Sequence, residues 1–144
     1  MNNRTAPILT AEKQIDIRFS EVDSMQIAWH GAYALYFEDA REAFGAKYGL
    51  GYLDIFRAGF YAPLVDLRFA FKSPLIYGDR ASVTITYIPC PSAKIRFEYT
   101  LYNITRDRLA ATGESTQVFL DKDYQLVIYN PDFYTAWKLK NGIQ

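Results

Sequence analysis

The 144-residue chain has a single cysteine, Cys90, and a single histidine, His30. One cysteine cannot close an internal disulfide, and one cysteine with one histidine cannot supply an ordinary Cys/His structural zinc site. Neither sign of charge is in excess: 16 basic and 16 acidic side chains give a net charge of zero. With the basic residues scattered and no block of like charge, the electrostatic footprint of a nucleic-acid-binding protein is missing. No stretch approaches the ~20 apolar residues of a membrane span, and MNNRTAPILTAEKQ has no apolar run suited to a signal peptide. These absences give an expectation of a cytoplasmic protein with no metal, no cofactor, no membrane and no nucleic-acid partner.

What the chain does have is aromatic side chains. Half of its residues are hydrophobic and 17% are aromatic, with 12 Tyr and 10 Phe. That is enough apolar material for one domain over 1–144 to bury a core without disulfides or metal. Tyr and Phe also favour the pleated, half-buried surface of a sheet.

Alternation predicts a first strand in QIDIRF (14–19), with Ile15, Ile17 and Phe19 on one side. SEVDSMQ breaks the pattern as a loop. In AYALYFEDAREAFGAKYGL, Tyr33, Tyr36, Phe37, Ala40, Phe44 and Tyr48 recur at three- and four-residue steps, one stripe of a helix. Gly49 and Gly51 are its stop signals. YAPLVDLRFAFK (61–72), ASVTITYI, KIRFEYTLYNI and ATGESTQVFL follow as strands, with SPLIYGDR a turn. NPDFYTAWKLKNG reads as a short helix with Asn130 as N-cap and Pro131 at its first position. Strand, long helix, then a run of strands is not the alternating order of a parallel α/β fold. It is an α+β architecture: one long helix covering a curved antiparallel sheet of about five strands, with a short C-terminal helix.

The chemistry concentrates in EVDSMQIAWHGAY (21–33), where Asp23 precedes His30 and Gly31 at the helix entrance. The first amides of a helix lack intrahelical acceptors and carry partial positive charge, so a carbonyl oxygen gaining negative charge is stabilised there. Gly31 would let a substrate approach that backbone closely. Asp23 could activate a water or attack an acyl carbon itself, which suffices to cleave an activated ester such as a thioester. Equally, an aspartate before a helix is a common loop former, and a histidine there a common packing or capping residue.

IRFSEVDSMQIAWHGAYALYFEDAR resembles the signature of the 4-hydroxybenzoyl-CoA thioesterase-like branch of the hotdog-fold acyl-CoA thioesterases. The similarity rests on Arg18, Phe19, Glu21, Asp23, His30 and Tyr33, with Phe37-Glu38 and Ala40-Arg41 behind them. KSPLIYGD and GESTQVFLD resemble later parts of the same pattern, so the likeness runs over about residues 14–128. The resemblance implies a hotdog fold and hydrolysis of acyl-CoA or acyl-carrier-protein thioesters. It implies Asp23 as the catalytic carboxylate and the backbone N–H of His30 as the donor to the thioester carbonyl. It further implies Tyr33 lining the site and a homodimer or homotetramer whose active sites lie between subunits, where Tyr61 and Pro63 of the partner shape the acyl pocket. Two positions depart from the pattern: Gln26 where the family often has glycine, and Ala32 where it often has Asn or Ser.

Two other readings stay open at this stage: a dehydratase or isomerase of the same fold with the His30 imidazole as acid and base, and a non-catalytic acyl-binding module in which Asp23 only caps the helix. For the phosphates of CoA, Lys72, Arg80, Lys94 and Arg96 are candidates by residue type.

Overall fold

The computed structural model describes residues 7–143. Its strands are β1 (Thr10–Asp16), β2 (Leu64–Phe71), β3 (Arg80–Ile88), β4 (Lys94–Asn103), β5 (Arg108–Leu120) and β6 (Leu126–Val127). They form one antiparallel sheet in the order β1-β3-β4-β5-β2, with β6 paired to the end of β5. The helices are α1 (His30–Tyr48), α2 (Tyr52–Arg57) and α3 (Asp132–Lys140). Among the described residues no helix is long and apolar enough to cross a membrane.

The predicted stripe is the buried face of α1. Tyr33, Tyr36, Phe37, Ala40 and Phe44 are buried against the sheet, and Tyr48 half-buried beside them. Alternation along β4 supplies the facing surface: Ile95, Phe97, Tyr99 and Leu101 point inward while Arg96, Glu98 and Thr100 face solvent. The two surfaces meet ring on ring. Phe37 stacks on Tyr99 with centroids 4.2 Å apart, and Phe44 meets Phe97 edge-on at 4.9 Å. Gly113 of β5 makes room for this layer, since a Cβ there would lie 2.3 Å from the Phe37 ring. Bulges between Leu64 and Asp66, and between Leu101 and Tyr102, add bend to β2, β4 and β5. At the far end, Trp137 of α3 packs on Tyr87, and its indole N–H donates to the Tyr48 carbonyl at 2.8 Å, closing the core.

The α+β layout with one long helix, antiparallel strands and a C-terminal helix stands as expected; several boundaries do not. The first strand is Thr10–Asp16 rather than 14–19. Ile17 is buried, but Phe19 is 76% exposed in a 3-10 turn. The segment read as a strand from residue 61 begins pairing as a strand at Leu64. The short helix α2 and strand β6 are additional elements. Pro131, not Asn130, sits at the cap position of α3, because the Asn130 side chain is committed to the Pro91 carbonyl at 3.0 Å.

The two edges of the sheet differ. β1 carries Glu12, Lys13, Gln14 and Asp16 in exposed positions, a charged edge that discourages further pairing. Among the described residues β2 is hydrogen-bonded only to β5, and it shows Val65 (59% exposed) and Phe71 (54%) to solvent.

Candidate active site at the entrance of the long helix

The segment between β1 and α1 is a small hairpin held to the body of the fold. Val22 pairs with Ala28, the Asp23 N–H donates to the Ile27 carbonyl at 2.9 Å, and the Trp29 N–H to the Glu21 carbonyl at 3.0 Å. The Ala28 N–H reaches the Leu75 carbonyl at 2.7 Å, and Ile27 bridges Ile76, so the hairpin rests on the turn before β3. That turn is fixed by buried Asp79. Its carboxylate accepts the Ile76 N–H (3.0 Å), the Asn103 amide (2.9 Å) and Arg106 Nε (3.3 Å). Burial alone would raise the Asp79 carboxyl, but these donors and the Arg106 charge outweigh it and hold the group below the usual carboxylate range.

At the hairpin tip Asp23 is exposed. Its Oδ1 accepts the Met25 N–H at 2.8 Å, an Asx turn, while its other carboxylate oxygen has no partner among the described residues. Gln26, closing the tip, takes φ +65°, the left-handed region that favours glycine. The position where the family pattern often has glycine is thus one whose backbone asks for it.

Helix α1 opens without a side-chain cap, and Trp29 holds the cap position. The Ala32 N–H turns back to the Trp29 carbonyl at 2.9 Å; the amides of His30 and Gly31 find no acceptor among the described residues. They are donors at the positive end of a 19-residue helix. The His30 imidazole is exposed and meets the Trp29 ring edge-on at 5.4 Å. Gly31 permits a close approach, and the group that makes it is the Trp29 indole: a Cβ at Gly31 would lie 2.1 Å from it. The place expected to admit substrate is therefore taken, on that side, by this ring.

Behind the entrance, Tyr33 is buried against Tyr36 and Phe71, the latter at 4.9 Å, and burial pushes its phenol up. The Tyr36 hydroxyl is buried without a hydrogen-bond partner among the described residues. Burial first, and then the neighbouring Glu21 charge, raise it further. Glu21 is itself buried, and its carboxylate accepts the Arg18 N–H at 2.8 Å, which ties the 3-10 turn down.

Asp23, His30, Gly31 and Tyr33 thus lie in one region, and Tyr61 and Pro63 in another. The latter two line a cleft of about 460 Å³ between α2, the middle of α1 and the start of β2. Ile95, Phe97 and Ile55 give it apolar walls; Glu38, Glu42 and Gln117 give it polar ones. None of Lys72, Arg80, Lys94 and Arg96 lines this cleft, and Arg80 is paired with Asp16 at 3.2 Å. Sequence reasoning missed α2, which is too short to show a helical period, and the Asp79 hub, whose partners Asn103 and Arg106 lie on a distant segment.

The fold agrees with solved structures. A DHNA-CoA thioesterase from Staphylococcus aureus superposes with a TM-score of 0.80 at 26% identity, covering 91% of this chain and 90% of that one. In sequence, the chain is 29% identical over 132 residues to a Bacillus subtilis protein named "Putative acyl-CoA thioesterase YneP", covering 89% of this chain and 95% of that protein. It is 25% identical over 132 residues to the 1,4-dihydroxy-2-naphthoyl-CoA hydrolase of Thermosynechococcus vestitus, covering 91% and 90%. The model of the thioesterase-like superfamily matches residues 17–137, from the end of β1 into α3, and the chain belongs to that superfamily.

Proposed function

We propose that the protein is an acyl-CoA thioesterase that uses Asp23 at the entrance of α1 on an aromatic acyl-CoA. The observation that carries this reading is the pairing of a half-free carboxylate with two unoccupied helix amides in one short segment. The thioester carbonyl accepts hydrogen bonds from the backbone N–H groups of His30 and Gly31, which stabilise the oxyanion as it forms. The free oxygen of Asp23 either takes a proton from water as the water attacks the acyl carbon, or attacks that carbon itself and is regenerated by water. Either way the C–S bond breaks, water is consumed, and the products are the carboxylate, CoA thiol and a proton. The imidazole of His30 has no part in this scheme. A CoA substrate fits the expectation of a cytoplasmic enzyme.

The acyl pocket is supplied by a second copy. Strand β2 runs from Leu64, beside the cleft, to Phe71, against Tyr33. If two copies pair antiparallel through their open β2 edges, the start of one β2 lies beside the end of the other. The cleft with Tyr61 and Pro63 of the partner subunit then faces the Asp23 loop and helix entrance of the first. The apolar walls of the cleft suit a ring, and Glu42 and the Gln117 amide oxygen suit hydroxyl groups on it, while Glu38 is paired with Arg41 and the Gln117 N–H with the Ala62 carbonyl. This agrees with relatives named for naphthoyl-CoA substrates.

A free-thiol colour assay over aromatic, short-chain and long-chain acyl-CoAs tests this. Wild type releases thiol fastest from an aromatic acyl-CoA. Asp23→Asn loses about 100-fold or more, while His30→Ala stays within about tenfold. A greater loss in His30→Ala than in Asp23→Asn would move the chemistry to the imidazole. No thiol release by wild type from any acyl donor would reject the reading.

A further inference from the structure

We propose that Lys122 is a positioning residue that latches α2 onto the Tyr61 wall of the cleft and thereby sets which acyl groups fit. The effect on substrate rests on the reading that the cleft receives the acyl group. The latch itself is a matter of geometry.

Helix α2 is the least anchored wall of the cleft. It has six residues, of which only Ile55 is buried, while Tyr52, Leu53 and Phe56 are exposed. A helix this short does not stand on its own hydrogen bonds. At its start the Gly51 N–H is held by Asp54 Oδ2 at 2.8 Å. Its far end is closed by the Gly59 N–H on the Phe56 carbonyl at 3.0 Å and the Phe60 N–H on the Ile55 carbonyl at 3.2 Å, and is met from outside by the turn between β5 and β6.

Lys122 in that turn donates from Nζ to the Phe56 carbonyl at 3.2 Å. The same ammonium lies 3.4 Å from the centroid of the Phe56 ring and 4.5 Å from that of Tyr61. One charge therefore bridges the last turn of α2 and the residue at the cleft wall, through a carbonyl acceptor and two aromatic faces. Tyr61 is braced separately: its backbone exchanges two hydrogen bonds with Leu120, at 2.9 and 2.8 Å, and its ring stacks on Tyr124 at 5.2 Å.

The turn is built to deliver these groups. Asp121 Oδ1 accepts the N–H of Asp123 at 2.9 Å and of Gln125 at 3.0 Å. Tyr124 takes φ +61°, an unfavourable conformation for a bulky residue. That conformation is sustained while its ring covers Tyr61, the kind of local strain that accumulates where a chain must place a side chain. Lys122 does not line the cleft itself, so it acts through Phe56 and Tyr61.

With Lys122 in place α2 is held beside Tyr61 and the cleft keeps its shape. Without its charge α2 is free to move and a closely fitting acyl group loses one wall. The chemistry at Asp23 belongs to another region of the chain and is untouched.

The full-length protein with Lys122→Gln and with Lys122→Arg provides the test, against three acyl-CoAs of increasing bulk. Lys122→Gln raises KM about fivefold or more for the best substrate and leaves kcat within about twofold; Lys122→Arg, which keeps the cation, restores KM. Independently of activity, hydrogen exchange at the amides of residues 55–60 accelerates about tenfold or more in Lys122→Gln, with α1 unchanged. Unchanged exchange in α2 overturns the latch. Faster exchange with kcat and KM both unaltered overturns its bearing on substrate choice. If wild type cleaves no thioester, the proposed function fails, and the exchange measurement still decides the latch.

Discussion

Three single positions at the helix entrance carry more constraint than their neighbours. Gln26 occupies a left-handed conformation that costs a side-chain-bearing residue about 1 kcal/mol relative to glycine. Gln26→Gly removes that strain and gives up a single exposed side chain, so the variant gains about 0.5–1 kcal/mol in urea unfolding. A loss of stability would show that the Gln26 side chain itself supports the hairpin. Gly31 and Trp29 form the second constraint, because the indole occupies the space of a missing Cβ. Gly31→Ala in wild type therefore displaces the half-exposed ring, which offsets the better helix propensity of alanine and leaves the variant up to about 1 kcal/mol less stable. In a Trp29→Ala background the obstacle is gone and the better helix propensity of alanine makes the same change neutral or favourable, by up to about 1 kcal/mol. A double-mutant cycle reads the difference as a coupling energy. Additive effects would mean that the ring does not rest on the helix start.

Elements show what could be read from the residues alone and what could not. The stripe of α1 was legible because one helix face has one neighbour, the sheet, and every ring on it must be buried together. The alternation of β4 was legible for the same reason. β1 was displaced because an edge strand has little need of apolar alternation: TAEKQID pairs through its backbone, while the alternation of Ile15, Ile17 and Phe19 runs past the last paired residue. At the candidate site, Asp23, His30 and Gly31 were legible as one group because they are near in sequence. The supports of that group were not, because Asp79 meets Asn103 and Arg106 only after the strands pair. Gly113 is a similar case, since only packing reveals that Phe37 lies over it. Gly113→Ala puts a methyl group into that ring and against the Arg68 carbonyl, 2.7 Å from the Cβ site. Thermal unfolding should show a loss of about 2–3 kcal/mol. The Asp79 hub gives an acid signature. Its carboxyl is held below its ordinary value, so its stabilising contribution is full above the unfolded pKa of about 4 and is lost as pH falls through the lower folded value. Asp79→Asn should be less stable than wild type by about 2 kcal/mol at pH 7, and the gap should narrow below pH ~4. A gap independent of pH would show that the Asp79 charge contributes nothing.

For the whole molecule, the question is whether one chain holds a complete site. The start of β2 borders the cleft and its end lies against Tyr33 behind the helix entrance, about 20–25 Å away along an eight-residue strand. In the proposed dimer, antiparallel pairing of two β2 edges would bring the Asp23 region of one chain to Tyr61 of the other. Subunit mixing separates the alternatives. Asp23→Asn removes the carboxylate, and Ala62→Trp fills the cleft that Ala62 lines. Each homodimer is then inactive. A mixed dimer contains one site with both defects and one with neither, because the intact Asp23 of one subunit faces the intact cleft of the other. Random mixing in equal amounts makes half the dimers mixed and restores about one quarter of the wild-type thiol release. If each chain held its own site, both sites in a mixed dimer would carry one defect and no activity would return, however well the subunits exchanged. A charged residue placed at an exposed position of the open edge strand, Val65→Lys, should abolish the dimer and the activity together, read by sedimentation and the thiol assay on the same sample. Activity retained by a monomeric Val65→Lys chain would return the acyl pocket to the subunit that supplies Asp23.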